Sequence, residues 1–333
     1  MDTEPEELQF LGFFGIYREA YKIICSWSKI FTKITLSLIL PLSFIFLAHI
    51  QISEFLFAKI LRNEDSLDTT PVDSPRYNLI LDRLSSEWTA FWLFKAAYLL
   101  IVLIFSLLST SAVVYMVACV YTAKEITFRK IMSVVPKVWK RLMVTFLWNF
   151  IIVFAYNMVA LLIVILIAFA VGPAGAAGAA VLLILLVVYL VGLVYITVVW
   201  HLASVVSVLE DSYGIQAMIK SKALIKGKMW VAGAIVLLFN LAFLLIQIAF
   251  EKLVVHGWSL GVASRVGYGI VCVMLLFFLI LLGLVVQTVI YFVCKSYHHE
   301  NIDKSCLADH LEVYLGEYVP LKGKDVQLEQ YYV

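Results

Sequence analysis

Apolar residues run along this chain in five blocks free of Asp, Glu, Lys and Arg: Ile34 to Ser53, Ala96 to Ala123, Leu142 to Leu209, Met229 to Phe250 and Val266 to Cys294. Their lengths are 20, 28, 68, 22 and 29 residues. About 20 apolar residues carry an α-helix across the roughly 30 Å hydrocarbon core of a bilayer, so the third block must hold two crossings. Near its middle stands Gly172-Pro173-Ala174-Gly175-Ala176-Ala177-Gly178, a turn-forming cluster that divides it into Leu142 to Val171 and Ala179 to Leu209. The pattern predicts an all-α, polytopic membrane protein with six transmembrane helices. At about 1.5 Å per residue, the second, third, fourth and sixth spans exceed the bilayer core and should tilt or project, while the first and fifth cross plainly. Three regions follow: an N-terminal arm over 1–33, a transmembrane domain over 34–294 and a tail over 295–333.

The polar positions between the blocks are strongly asymmetric. One side carries 18 of the 25 Lys and Arg residues, in the arm, the second and fourth loops and the tail, and the other side carries seven. Positive charge marks the cytosolic face, so both termini are expected in the cytosol, which an even number of spans allows. A cleavable signal peptide is not expected, because Met1 to Leu8 carries four acidic residues and the first long apolar run begins only near Ile34. Trp27, Trp88, Trp92, Trp139, Trp148, Trp200, Trp230 and Trp258 all fall near predicted interfaces, as an aromatic belt requires.

Each odd-numbered span follows a basic, partly amphipathic stretch, which points to three copies of one unit: interfacial helix, span, short return, span. Arg18, Lys22, Lys29 and Lys33 fall within about 60° of one another on a helix turning about 100° per residue. Arg129, Lys130, Lys137, Lys140 and Arg141 form a second stripe opposite Phe128, Ile131, Val135, Val138 and Trp139, with Pro136 expected to kink or restart that helix. The third stretch, Asp211 to Trp230, scatters its lysines. A basic stripe beside an apolar face suits a helix lying in an anionic leaflet, each Lys or Arg contributing on the order of 1 kcal/mol, so these nine residues are the candidate lipid-headgroup contacts. The competing reading is that they fix topology only.

Composition agrees with a membrane chain: of 333 residues 63% are hydrophobic and 14% charged, with a mean hydropathy of +0.98. The net charge of +2 gives no reason to expect a nucleic-acid partner. Five cysteines without paired spacing do not make a disulfide framework. Cys25 and Cys294 occupy positions that suit palmitoylation.

Candidate chemistry is sparse. Asn149, Asn157, His201, Asn240 and Gln287 lie inside spans, and Asn157 and Asn240, both near mid-depth, are placed to meet across a helix interface. No Asp, Glu, Lys or Arg lies deep in a span, which disfavours ion-coupled transport. Pro41 reads as a packing kink. Six scattered histidines do not form the boxes of a di-iron enzyme. Cys306 and His310 share a helical-turn spacing, but without a CxxC partner no metal is expected. The segment Glu54 to Trp88, with seven acidic residues, predicts a solvated cap with a short helix around Tyr77 to Glu87.

The stretch Glu210-Asp211-x-x-Gly214-x-x-Ala217-x-x-x-Ser221-x-x-Leu224-x-Lys226-Gly227-x-x-Trp230 resembles a segment of the membrane domain associated with bacterial glycerophosphoryl diester phosphodiesterases. The tail His310-Leu311-Glu312-Val313-Tyr314-Leu315-Gly316-Glu317-Tyr318-Val319-Pro320-Leu321 is similar to that of a plant family of six-span membrane proteins. The resemblance implies an integral endomembrane protein of the ER or Golgi and brings no catalytic residue. No nucleophile, base and metal constellation can be assembled on one face of the membrane. The expectation is therefore a non-enzymatic protein, without cofactor, that organises membrane lipids or cytosolic and membrane protein partners. The alternative is a facilitator or transporter of lipid or small polar solute.

Overall fold

The computed structural model describes residues 7–71, 74–122, 127–171, 176–257 and 261–298, which contain helices and no strand. A 3-10 turn, Glu7–Phe10, precedes α1 (Phe13–Ser26) and α2 (Ser28–Ile34), and a π-helical turn, Thr35–Ile39, leads into α3 (Leu40–Asp68). Then come α4 (Pro75–Tyr121), α5 (Phe128–Val171), α6 (Ala176–Leu209), the short α7 (Ile215–Leu224) and α8 (Met229–Phe250). A second π-turn, Glu251–Val255, precedes α9 (Val262–Tyr297). Among the described residues six segments are long and apolar enough to cross a membrane: Ser28–Asp68, Pro75–Tyr121, Phe128–Ile167, Ala180–Leu209, Met229–Val255 and Val262–Tyr297. Each overlaps one predicted span over most of its length.

The helices outrun the charge-free blocks. Glu54 to Trp88 is not a cap with one short helix: α3 continues to Asp68 and α4 begins at Pro75. Ser74 stops the turn and starts α4, its Oγ accepting from the Tyr77 N–H at 3.2 Å, with Pro75 at the position where a missing N–H costs nothing. Across the hairpin Lys59 pairs with Glu87 at 3.0 Å and Asn63 Nδ2 donates to the same carboxylate at 2.6 Å. At about 1.5 Å per residue the 47-residue α4 is roughly 70 Å long, so the α3–α4 hairpin extends beyond a roughly 30 Å core. Pro41, near the start of α3, lacks the N–H that would reach the Ser37 carbonyl, and the π-turn lies immediately before it. The Thr35 and Ser43 hydroxyls donate to the Phe31 and Ile39 carbonyls there, at 2.6 and 2.9 Å.

Three hairpins, α3–α4, α5–α6 and α8–α9, converge at the end of the bundle that carries α1 and α7, here called the basic end. The main core lies there, built from Val113 to Ala118, Val134, Val138, Leu142, Val205, Val206, Val285 and Val289 to Cys294. A smaller cluster, Leu47, Phe250, Val255, Cys272 and Leu276, joins α3, α8 and α9 toward the other end. The far halves of α5 and α6 leave Leu161, Leu162, Leu166, Leu183 and Leu190 exposed, which is stable in lipid because acyl chains are as apolar as leucine.

The three stretches before the hairpins differ from one another. The arm is broken at Trp27, whose φ of −117° and ψ of 30° separate α1 from α2, so Arg18 and Lys22 do not share one helix with Lys29 and Lys33. In the second stretch Ile131, Val135 and Val138 of the predicted apolar face are buried and Phe128 and Trp139 half-buried, Val134 and Leu142 are buried beside them, and the helix runs unbroken into the span through Pro136. The third, α7, buries Ala217, Met218, Ser221 and Leu224.

Candidate functional site

The basic end has one exposed and one internal set of charges. On α1, Ile16, Ala20 and Ile23 are buried at helical spacing, and α1 packs on α9. Arg18 and Lys22 stand on the opposite side beside Phe14 and Tyr21, which are 83% and 68% exposed, with Phe10 just upstream. Lys29 and Lys33 on α2 are exposed too, and none of the four cations has an ion-pair partner among the described residues. On α5, Arg129, Lys137 and Lys140 are exposed, Lys130 is half-buried, and Arg141 is committed to the fold through Asp211 at 2.9 Å. Trp230 at the start of α8 is 92% exposed, as a belt residue should be, whereas Trp139 is half-buried in the core; Trp258 lies outside the described residues. Glu19, on the buried side of α1, leaves Oε1 without a hydrogen-bond partner among the described residues.

The internal set centres on Glu210, the residue that ends the long uncharged run. Its carboxylate takes Lys220 of α7 at 2.6 Å, Lys295 of α9 at 3.2 Å and the Tyr291 hydroxyl at 2.6 Å. Burial alone would push the Glu210 pKa up, but hydrogen bonds from Lys220 and Tyr291 and the charges of Lys295 and Lys220 outweigh it and hold the carboxyl below its ordinary value. Beside it, the Thr145 and Ser207 hydroxyls meet at 2.7 Å and Thr145 accepts the Gly214 N–H at 2.7 Å. Ser221 donates to the Val199 carbonyl at 2.7 Å. Gly214 has a φ of +63° and Gly227 a φ of +94°, so both turns need a residue free of a side chain. The Glu210-to-Trp230 motif is thus a clamp that docks α7 against α5, α6 and α9. Sequence reasoning missed Thr145, Lys220, Tyr291 and Lys295. The available signal was an acidic residue directly after 68 uncharged positions.

Within the membrane four of the five candidate polar residues divide between two cavities. Asn157 and Asn240 do not meet. Asn157 accepts from the Tyr189 hydroxyl at 2.9 Å and donates to the Val153 carbonyl at 2.7 Å, while Tyr156 donates to the Tyr189 carbonyl at 2.9 Å. These groups line a cavity of about 620 Å³ between α5 and α6, where their mutual bonds satisfy them. Asn240 lines a separate cavity of about 280 Å³ between α6, α8 and α9, together with His201 and Gln287. His201 Nδ1 lies 2.8 Å from Gln287 Oε1. Asn149 leaves Oδ1 buried without a partner among the described residues. His49, unassigned from sequence, lies between Lys95, at 2.9 Å, and the Tyr98 ring, stacked at 3.5 Å, so it ties α3 to α4.

Cys294 is fully buried and closed to acylation, whereas Cys25 is exposed on α1. Among the described residues no three His, Cys, Asp or Glu side chains gather as metal ligands; Cys306 and His310 lie outside them. The spans and their packing define a multi-pass, all-α integral membrane protein. Within that class the chain belongs to the family described as a domain of unknown function, DUF8558, whose model matches residues 1–331. No curated protein and no solved structure matches it.

Proposed function

We propose that this is a non-enzymatic endomembrane protein, with both termini in the cytosol, whose basic end organises anionic lipids of the facing leaflet. The carrying observation is α1: Ile16, Ala20 and Ile23 fix it to the bundle while Arg18 and Lys22 stand exposed beside Phe14 and Tyr21. A fixed helix with basic and aromatic residues on its free side is the arrangement that seats rings among acyl chains and cations among phosphates. Residence in the ER or Golgi, and a plant source, rest on the resemblance of the Glu210-to-Trp230 segment and the tail. The alternative, a facilitator of lipid or polar solute, needs a continuous polar path, and the separation of Asn157 from Asn240 into two cavities favours the first reading.

The test is native mass spectrometry of the full chain in nanodiscs of mixed neutral and anionic lipid. Arg18→Ala/Lys22→Ala/Lys29→Ala/Lys33→Ala is expected to lower retained anionic lipid at least about tenfold, since each cation near a charged surface contributes on the order of 1 kcal/mol. Equal retention by both proteins defeats the proposal.

A further inference from the structure

The cavity between α6, α8 and α9 has a polar wall where the surrounding helices are otherwise apolar. Gln287 lies eight residues before Lys295 on α9, and His201 lies nine residues before Glu210, which stands just past the end of α6. At about 1.5 Å per residue Gln287 is then roughly 12 Å deep along α9, in the inner half of a roughly 30 Å hydrocarbon core. Lipid at this depth offers no hydrogen-bonding partner, so polar groups left open there carry a cost unless something meets them.

The polar atoms available are complementary. Gln287 Oε1 can only accept, so at 2.8 Å His201 Nδ1 must carry a proton. That leaves Nε2 of the neutral imidazole as an acceptor and Gln287 Nε2 as a donor, and neither has a partner among the described residues. Asn240 uses Nδ2 on its own helix at 2.8 Å and, being exposed, sits at the rim of the cavity with a carbonyl oxygen. An acceptor beside a donor matches one hydroxyl group, which gives a proton to the first and receives one from the second. No Asp, Glu, Lys or Arg lines the cavity, so a charged headgroup would be unpaired there.

We propose that this cavity binds the hydroxyl end of a neutral lipid: His201 and Gln287 take the hydroxyl, and the apolar body extends past Phe239 and Gly283 into the bilayer. At about 280 Å³ the cavity is just below the roughly 300 to 1,000 Å³ of pockets that enclose a drug-sized ligand. It therefore holds the head and the adjoining apolar segment, with the remainder lying among lipid tails. Gly283 keeps the space open; a Cβ there meets the Phe239 ring at 3.7 Å, an ordinary contact, so the backbone does not demand glycine. The site is distinct from the basic end, and it stands whether or not anionic headgroups bind there.

A sterol and a diacylglycerol both present this chemistry, and the experiment separates them. The full chain in nanodiscs is irradiated with diazirine-bearing sterol, diazirine-bearing diacylglycerol and the methyl ether of each, and cross-linked peptides are mapped. At least one free-hydroxyl probe is expected to label α6, α8 or α9 about tenfold more than its ether, the ratio one net hydrogen bond supports, and the stronger of the two identifies the source. His201→Leu/Gln287→Leu removes both partners together and is expected to bring that probe down to the level of its ether. Gly283→Leu is expected to reduce ether and hydroxyl labelling alike. Equal labelling of wild type by hydroxyl and ether probes overturns the proposal even if no variant folds. Hydroxyl preference that survives in a folded His201→Leu/Gln287→Leu variant also overturns it.

Discussion

Glu210→Ala is expected to lower the thermal midpoint of the detergent-solubilised protein by roughly 4 to 8 °C, which corresponds to about 2 to 3 kcal/mol. The carboxylate is 13% exposed and holds two ammonium groups and a phenol, so its removal strands Lys295, 18% exposed, beside Tyr291 at the inner face of the bundle. Lys220 is 36% exposed and can turn to water, which keeps the loss below that of a fully buried pair. Glu210→Gln keeps an acceptor for Tyr291 and should fall between the two. The pH dependence has a fixed sign. The folded carboxyl titrates below its ordinary 4.5, so its contribution is full above that value and fades as the pH falls through the lowered folded-state pKa. Glu210→Gln should lose that part of the acid slope. A midpoint unchanged in Glu210→Ala would show that α7 docks by apolar contacts alone.

Gly227→Ala should be damaging far beyond the size of one added methyl. Its φ of +94° already disfavours any residue with a Cβ, at about 1 to 2 kcal/mol. The new Cβ would also stand 2.5 Å from Tyr297 Cε1, forcing away a ring that faces Lys228 at 5.4 Å. The combined effect is expected to reach about 2 to 4 kcal/mol and to appear as a lower thermal midpoint. Gly233→Ala in α8 is the matched control, since no atom outside its own helix lies within 4 Å and alanine gains about 0.5 to 1 kcal/mol in a helix interior. Gly227→Ala/Tyr297→Ala should recover the steric part and keep the backbone part. Equal midpoints for Gly227→Ala and Gly233→Ala would refute the close approach.

The spans were legible because hydrocarbon leaves a helix no substitute for internal hydrogen bonds, so a run of apolar residues such as Met229 to Phe250 has one outcome. Helix ends were less legible. Asp68 and Lys59 look like loop residues in composition, yet α3 carries them past the membrane because Asn63 and Lys59 find Glu87 across the hairpin. The arm shows the same gap in another form: helical arithmetic places four cations in one stripe only if the helix is continuous, and the backbone at Trp27 breaks it.

The candidate site was half legible. His201, Asn240 and Gln287 stand out from sequence as polar residues at membrane depth, but the chain separates them by 39 and 47 positions and gives no sign that they share a cavity. Asn157 looks equivalent to Asn240, and tertiary packing sends it to Tyr189 instead.

The amino-acid sequence by itself determined the class, the six crossings and the charge asymmetry, because those depend on local composition read against the thickness of a bilayer. Only the tertiary structure decided which polar side chains are spent on one another and which stay open. That choice depends on helix rotation and pairing, and in lipid these are set by small-residue fit and a few buried bonds, such as Glu210 with Lys220 and His201 with Gln287, which no periodicity along the chain encodes.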